Sequence, residues 1–297
     1  MWSIDTIFRE VVSQNYIETS SMANKIKCIQ IQKPGNTRYQ HEKCYAKGTG
    51  NCSTKISGEH VISHVILRSL EKNGKVKIIG LPWQKKGHFG LLPTNTLKSN
   101  ILCSTHNSIL SEFDSEMGRF FKTLIDNDQN LISAKPESNI AHFCGYDLER
   151  WMLKVLCGFI ASNQIANFSG TVKDLYVDIL FNNMPFPHNW GLYISPLPLT
   201  QIDHSFGFMP LMENGDVLGV EFLLNNVRFY LLLGTPGGPS FGMYHPAGIE
   251  SANNGFKRRI EIYWPNDSQE NLQGIYLHST GKTSKGPPRE WPDEWKQ

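Results

Sequence analysis

The 297-residue chain has no uninterrupted apolar run near the roughly 20 residues that cross a bilayer, so no spanning helix is expected from its sequence. Its start, Met1-Trp2-Ser3-Ile4-Asp5, carries an acid early and lacks an apolar signal core, which points to a cytoplasmic location. Charge is sparse at 19% and apolar residues reach 40%, so wholesale disorder, collagen and a coiled-coil rod are excluded. No internal repeat is visible. Cysteine is scarce, with six residues in all. In an intracellular chain they are expected as metal ligands or core thiols rather than disulfides.

The net charge of +2 is unevenly spread. Residues 24–100 hold 14 Lys and Arg against 3 acids, a net of +11, and the remainder is −9. A basic segment within a near-neutral chain suggests an anionic partner, although a solvated lysine-rich face would give the same count.

Periodicity divides the chain. Ile4, Ile7, Phe8, Val11 and Val12 predict an amphipathic helix in an N-terminal segment, 1–24. Residues 25–130 begin with short strands and loops. They continue in a helix with Ile109, Leu110, Phe113, Met117, Phe120, Phe121 and Leu124 on one face. Segment 131–169 reads as a connector with Pro136, then a helix with a Leu148, Met152, Val155, Leu156 and Phe159 stripe and Asp147 as a candidate N-cap. In 170–278 the period becomes two: Val177, Ile179 and Phe181 alternate. The turns Asn214-Gly215 and Asn225-Asn226 separate apolar runs, so antiparallel hairpins are expected. Residues 279–297 read as a flexible tail.

Two cysteine segments carry the chemistry. Cys44 and Cys52 lie across a Gly-rich loop that can bend back. Cys103-Ser104-Thr105-His106 has the Cys-x-x-His spacing that brings two ligands to one ion from a tight turn. Three thiolates and an imidazole favour Zn²⁺ in a closed, structural site. Cys28 competes with Cys44 in this scheme, and Cys157 reads as a core thiol.

The neighbours of these ligands form the order Cys44…Cys52…Glu59-His60-Val61-Ile62-Ser63…Cys103-x-x-His106-Asn107…Asp114. Over roughly residues 40–120 this resembles the HNH, or ββα-metal, endonuclease superfamily, in its zinc-stapled branch. The resemblance implies a ββα-metal nuclease module with a structural zinc; with the helices and the antiparallel β-rich domain read from periodicity on either side, the expected fold is α+β. It implies hydrolysis of DNA phosphodiesters, with RNA left open, and service in phage defence or restriction. His60 takes the general-base role, Glu59 helps hold a catalytic Mg²⁺ or Mn²⁺, Asn107 holds that ion or orients the histidine, and Asp114 stands for the missing third histidine as a further ligand, with Glu116 as its rival. The types suit the chemistry, since a histidine near neutral pKa deprotonates water while a divalent cation stabilises the leaving oxygen. Ser63 departs from the proline common in the family, and an insertion spans about 70–99. His64 is a rival base. Arg68, Lys85, Lys86 and Lys98 are candidate phosphate contacts. The β-rich part is expected to recognise, dimerise or take a regulatory partner. The loop Gly234–Pro239 reads as a turn, and Tyr244-His245-Pro246 with Tyr263-Trp264 as pocket lining or core.

Overall fold

The computed structural model describes the chain from residue 27 to 288, except for 33–34, 36, 80, 82–83, 86–87, 133–138, 167, 196–205, 226, 235–237, 254–255, 266–271 and 278–282. The N-terminal helix expected before residue 24 and the Pro136 connector lie outside the described residues, as does Lys86. Among the described residues no helix is long and apolar enough to cross a membrane.

The fold is mixed α+β. Strand β1 (Ile56–His60) leads to helix α1 (His64–Leu70). The expected insertion contains an antiparallel pair, β2 (Lys75–Ile79) and β3 (Phe89–Pro93). Strand β4 (Lys98–Cys103) returns antiparallel to β1 and runs directly into the 29-residue helix α2 (Ser104–Ile132). The face of α2 expected to be apolar is the one that is buried, with Leu110, Phe113, Met117, Phe120, Phe121 and Leu124 at most 1% exposed.

Strand β5 (Asn139–Cys144) passes into helix α3 (Gly145–Ala161). This helix is not amphipathic in place. Fifteen of its seventeen residues are buried, including Asp147, Glu149, Arg150 and Lys154. Each of these charges therefore needs an internal partner. Asp147 is not the N-cap, a position taken by Cys144. Its carboxylate instead accepts the Ile29 amide, at 3.0 and 3.2 Å. Glu149 accepts the Leu192 amide at 3.1 Å, and Arg150 donates to the Ile29 carbonyl at 3.3 Å.

Val177, Ile179 and Phe181 belong to helix α4 (Asp174–Phe181), not to a strand. Tyr176, Val177, Ile179, Leu180 and Phe181 are all buried, so an apparent alternation is only part of a run apolar on several faces. Asp174 in the first turn suits the positive end of the helix.

The hairpin expectation holds for β7 (Phe206–Glu213), β8 (Asp216–Leu224) and β9 (Val227–Leu232). With β6 (Gly191–Ile194) they form an antiparallel sheet in the order β6-β9-β8-β7. Asn214 and Gly215 make the left-handed turn, at φ 51° and 86°. A second sheet departs from expectation. It contains β10 (His245–Asn253), β11 (Phe256–Tyr263), β12 (Leu272–Leu277) and β13 (Thr283–Pro288), in the order β13-β12-β10-β11-β5. Its β10–β12 and β11–β5 pairs are parallel, so this sheet is mixed. Residues 283–288, read as tail, form its edge strand. One cluster of buried apolar side chains runs from Ile31 to Ile275 and includes side chains from α2, α3 and both larger sheets.

Candidate metal centre and the motif around it

Loop, strand and helix each contribute to a four-residue cluster. After Cys44 a 3₁₀ turn (Lys47–Thr49) tightens the chain. Gly50 and Asn51 then take left-handed backbone, at φ 71° and 59°, and turn it back to Cys52. Cys103 ends β4, and His106 lies in the first turn of α2. All four residues are buried, and their ligand atoms lie within 4.8 Å of one another. The His106 Nδ1 is 3.5 Å from Cys44 Sγ, 3.7 Å from Cys52 Sγ and 3.1 Å from Cys103 Sγ. Tetrahedral zinc, with Zn–S of about 2.3 Å and Zn–N of about 2.0–2.1 Å, requires N···S edges of about 3.6 Å. The cluster can therefore hold a metal such as zinc.

Surrounding contacts favour the ligating form of His106 and Cys103, whereas burial favours the thiol at Cys44 and Cys52. Thr49 Oγ1 donates to the Ala46 carbonyl at 2.8 Å and sits 2.8 Å from His106 Nε2. The Nε2–H then donates to Thr49, which leaves the Nδ1 lone pair facing the thiols. Burial lowers the His106 pKa and keeps the ring neutral. Burial pushes the Cys44 thiol up to about 12 and raises that of Cys52. At Cys103 burial acts upward too, but the amides of His106 and Ser53 outweigh it and lower its pKa. A divalent cation at the centre would deprotonate such thiols. The Phe181 ring, from α4, packs edge-on against His106 with centroids 5.1 Å apart.

The cluster joins the two halves of the motif. Ser53 and Ser104 hydroxyls meet at 2.8 Å, and the Ser104 amide donates to the Lys55 carbonyl at 2.9 Å. In the β1–β4 ladder Ile56 faces Cys103 and His60 faces Lys98, with an irregularity between Ser57 and Glu59. Asn107 Nδ2 donates to Ser57 Oγ at 2.9 Å, so its carboxamide is fixed against β1. His60 stacks on His64, the first residue of α1, at 4.7 Å between centroids. The His60 Nε2 is buried without a hydrogen-bond partner. Burial, then His64, Lys98 and Lys154, lower its pKa to about 4 against a smaller opposing pull from Asp114.

Glu59 and Asp114 are also brought together, through a residue that sequence reasoning missed. Lys154 Nζ lies 2.5 Å from Glu59 Oε1 and 2.7 Å from each Asp114 carboxylate oxygen. Ser63 Oγ donates to Asp114 as well, and Trp151 Nε1 donates to it at 3.1 Å. Burial alone would lower the Lys154 pKa, but Asp114 and Glu59 outweigh it and hold the ammonium charged. Burial, reinforced by Asp114, raises the Glu59 pKa against the pull of Lys154. A lysine among Trp151, Met152, Leu153, Val155 and Leu156 was the available signal, because a charge flanked by apolar residues on every helix face must find a buried partner.

Glu116 points elsewhere and pairs with Arg119 at 2.6 Å. Arg68, Lys85 and Lys98 are exposed. Cys157 is a buried free thiol in α3, as read. Cys28 is not a ligand of this cluster. It forms a disulfide with Cys144, contrary to the expectation of no disulfides. His245 is a core residue whose Nδ1 lies 2.7 Å from the Leu192 carbonyl. The chain matches no protein-family model, no curated protein and no solved structure.

Proposed function

We propose that the chain is a metal-dependent HNH endonuclease that hydrolyses phosphodiester bonds of DNA, with His60 as general base. One observation carries this reading. The Cys44, Cys52, Cys103 and His106 donors converge where β1, which ends in His60, meets β4 and the start of α2, which carries Asn107. The strand–strand–helix order with a metal knot at its base supports a ββα-metal module. Zinc in the knot would be structural, because four protein ligands leave no open position.

His60 would take a proton from the attacking water; its unpartnered Nε2 is buried and would have to be uncovered as substrate binds. A pKa near 4 makes the ring neutral but a weak base. An arriving phosphodiester anion would counter the positive charge of Lys98 and Lys154 and draw that pKa upward. Lys98, across the ladder from His60, and Arg68 and Lys85 would meet the phosphate backbone.

The catalytic Mg²⁺ or Mn²⁺ is less well provided for. Glu59 and Asp114 both pair with Lys154, one ammonium between two carboxylates, so neither is a free ligand in this arrangement, and no step is assigned to that ion. The same observation favours a second reading, a zinc module that binds nucleic acid without cutting it.

Supercoiled plasmid incubated with the protein and Mg²⁺ or Mn²⁺, beside His60→Ala, separates the two. Loss of nicking by about 10²-fold or more in the variant supports the nuclease. Binding without cutting by either protein supports the module. Equal cutting by both overturns the assignment of His60.

A further inference from the structure

The disulfide partners sit in an arrangement that echoes the metal cluster. Cys103 ends a strand, and His106 follows three residues later in the first turn of α2. Cys144 ends β5, and Asp147 follows three residues later in the first turn of α3. Each pair meets cysteine from an upstream loop: Cys44 and Cys52 in the first case, Cys28 in the second. The ligand atoms of Cys28, Cys144 and Asp147 lie within 4.8 Å of one another, as in the first cluster.

We propose that Cys28, Cys144 and Asp147 form a second, redox-gated metal site that is closed as a disulfide and takes zinc once a dithiol has reduced it. The chemistry balances simply. A dithiol transfers two electrons and two protons to the Cys28–Cys144 bond and leaves as its own disulfide. Zinc then displaces the two thiol protons and binds two thiolates and the Asp147 carboxylate. Cys144 and Asp147 are buried while Cys28 is half-buried, so the reductant has one sulfur to approach.

A fourth position is available. Cys144 and Asp147 line a cavity of about 580 Å³ whose wall also carries Glu112, Glu116 and His142. Water or a wall carboxylate can complete a zinc shell there. Lys27 and Arg119 share this wall and oppose a cation, but Arg119 is already engaged by Glu116 and lies 3.8 Å above the Phe143 ring. Asp147 accepts the Ile29 amide, and its oxygens retain lone pairs for a metal.

Metal stoichiometry tests the site without reference to nuclease activity. The full chain is equilibrated with Zn²⁺ after oxidation or after treatment with a dithiol, dialysed, and measured for bound zinc, with thiol titration reporting the state of Cys28 and Cys144. The expected result is one zinc per chain when oxidised and two when reduced. Cys28→Ser and Asp147→Asn should hold one in the reduced state; the second keeps an acceptor for the Ile29 amide. One zinc per reduced wild-type chain, with both thiols shown free, overturns the proposal. So does a second zinc retained by both variants.

Discussion

Lys154 is 2% exposed in a helix buried on almost every face, and among the described residues Glu59 and Asp114 offset the cost of desolvating its ammonium. Lys154→Met should therefore leave the buried Glu59 without a counter-charge, beside a half-buried Asp114 that keeps only its Ser63 and Trp151 donors. A loss of about 3–5 kcal/mol in urea unfolding at neutral pH is expected. A second residue-scale expectation concerns Glu149, which is 1% exposed. Burial raises its pKa from 4.5 to about 8. The folded state thus binds this proton more tightly than the unfolded state. Its contribution is complete below about 4.5 and is lost as pH rises through about 8. Asp147, raised by burial to about 7, acts in the same direction. His245, lowered by burial from 6.5 to about 4, acts oppositely: its contribution is present above 6.5 and is lost as pH falls towards 4. The window for Glu149 runs from about 4.5 to about 8, and above pH 6.5 the opposing contribution of His245 is constant. Between there and pH 8 the wild-type urea midpoint should fall, and Glu149→Gln, which keeps an acceptor for Leu192, should flatten the decline. Parallel slopes for the two proteins would contradict this account of Glu149.

At the scale of elements, α3 and α4 hold the site in place. Gly145 opens α3 directly against Trp264, and a Cβ there would collide with the indole ring. Gly145→Ala should cost about 1–3 kcal/mol, read as a lowered thermal midpoint. The elements also differ in how legible they were. The apolar stripe of α2 and the Asn214-Gly215 hairpin have one buried face or one left-handed turn, so their periods speak plainly. The α3 stripe was visible, but not the burial of its opposite face, because nothing local shows which partners Glu149, Arg150 and Lys154 meet inside the core. Val177, Ile179 and Phe181 fit a strand as well as a helix, since burial on several faces erases the period. The parallel pairing of β5 with β11 joins segments far apart in sequence and leaves no local signal. Within the site, the four knot ligands were readable from residue type and spacing. The partners of Lys154 were not, nor was the Cys28–Cys144 bond, because each depends on contacts across the core.

For the whole molecule, the knot closes a long-range link. It ties a loop at residues 44–52 to the β4–α2 junction, and Phe181 of α4 packs on its imidazole. The proposed activity carries its own expectation at this scale. Three phosphate contacts, from Arg68, Lys85 and Lys98, would give log K against log salt a slope of about −2.7 on duplex DNA. Binding that is flat between low and physiological salt would contradict a backbone contact by these residues. The central claim is that Cys44, Cys52, Cys103 and His106 form a metal centre on which the fold depends. The most direct measurement is the native mass of the oxidised, purified chain, taken beside Cys103→Ser. A mass increment of one zinc ion in the wild type, absent from a destabilised Cys103→Ser chain, is the expected result. A metal-free wild type that unfolds at the same denaturant concentration with and without added Zn²⁺ would contradict it.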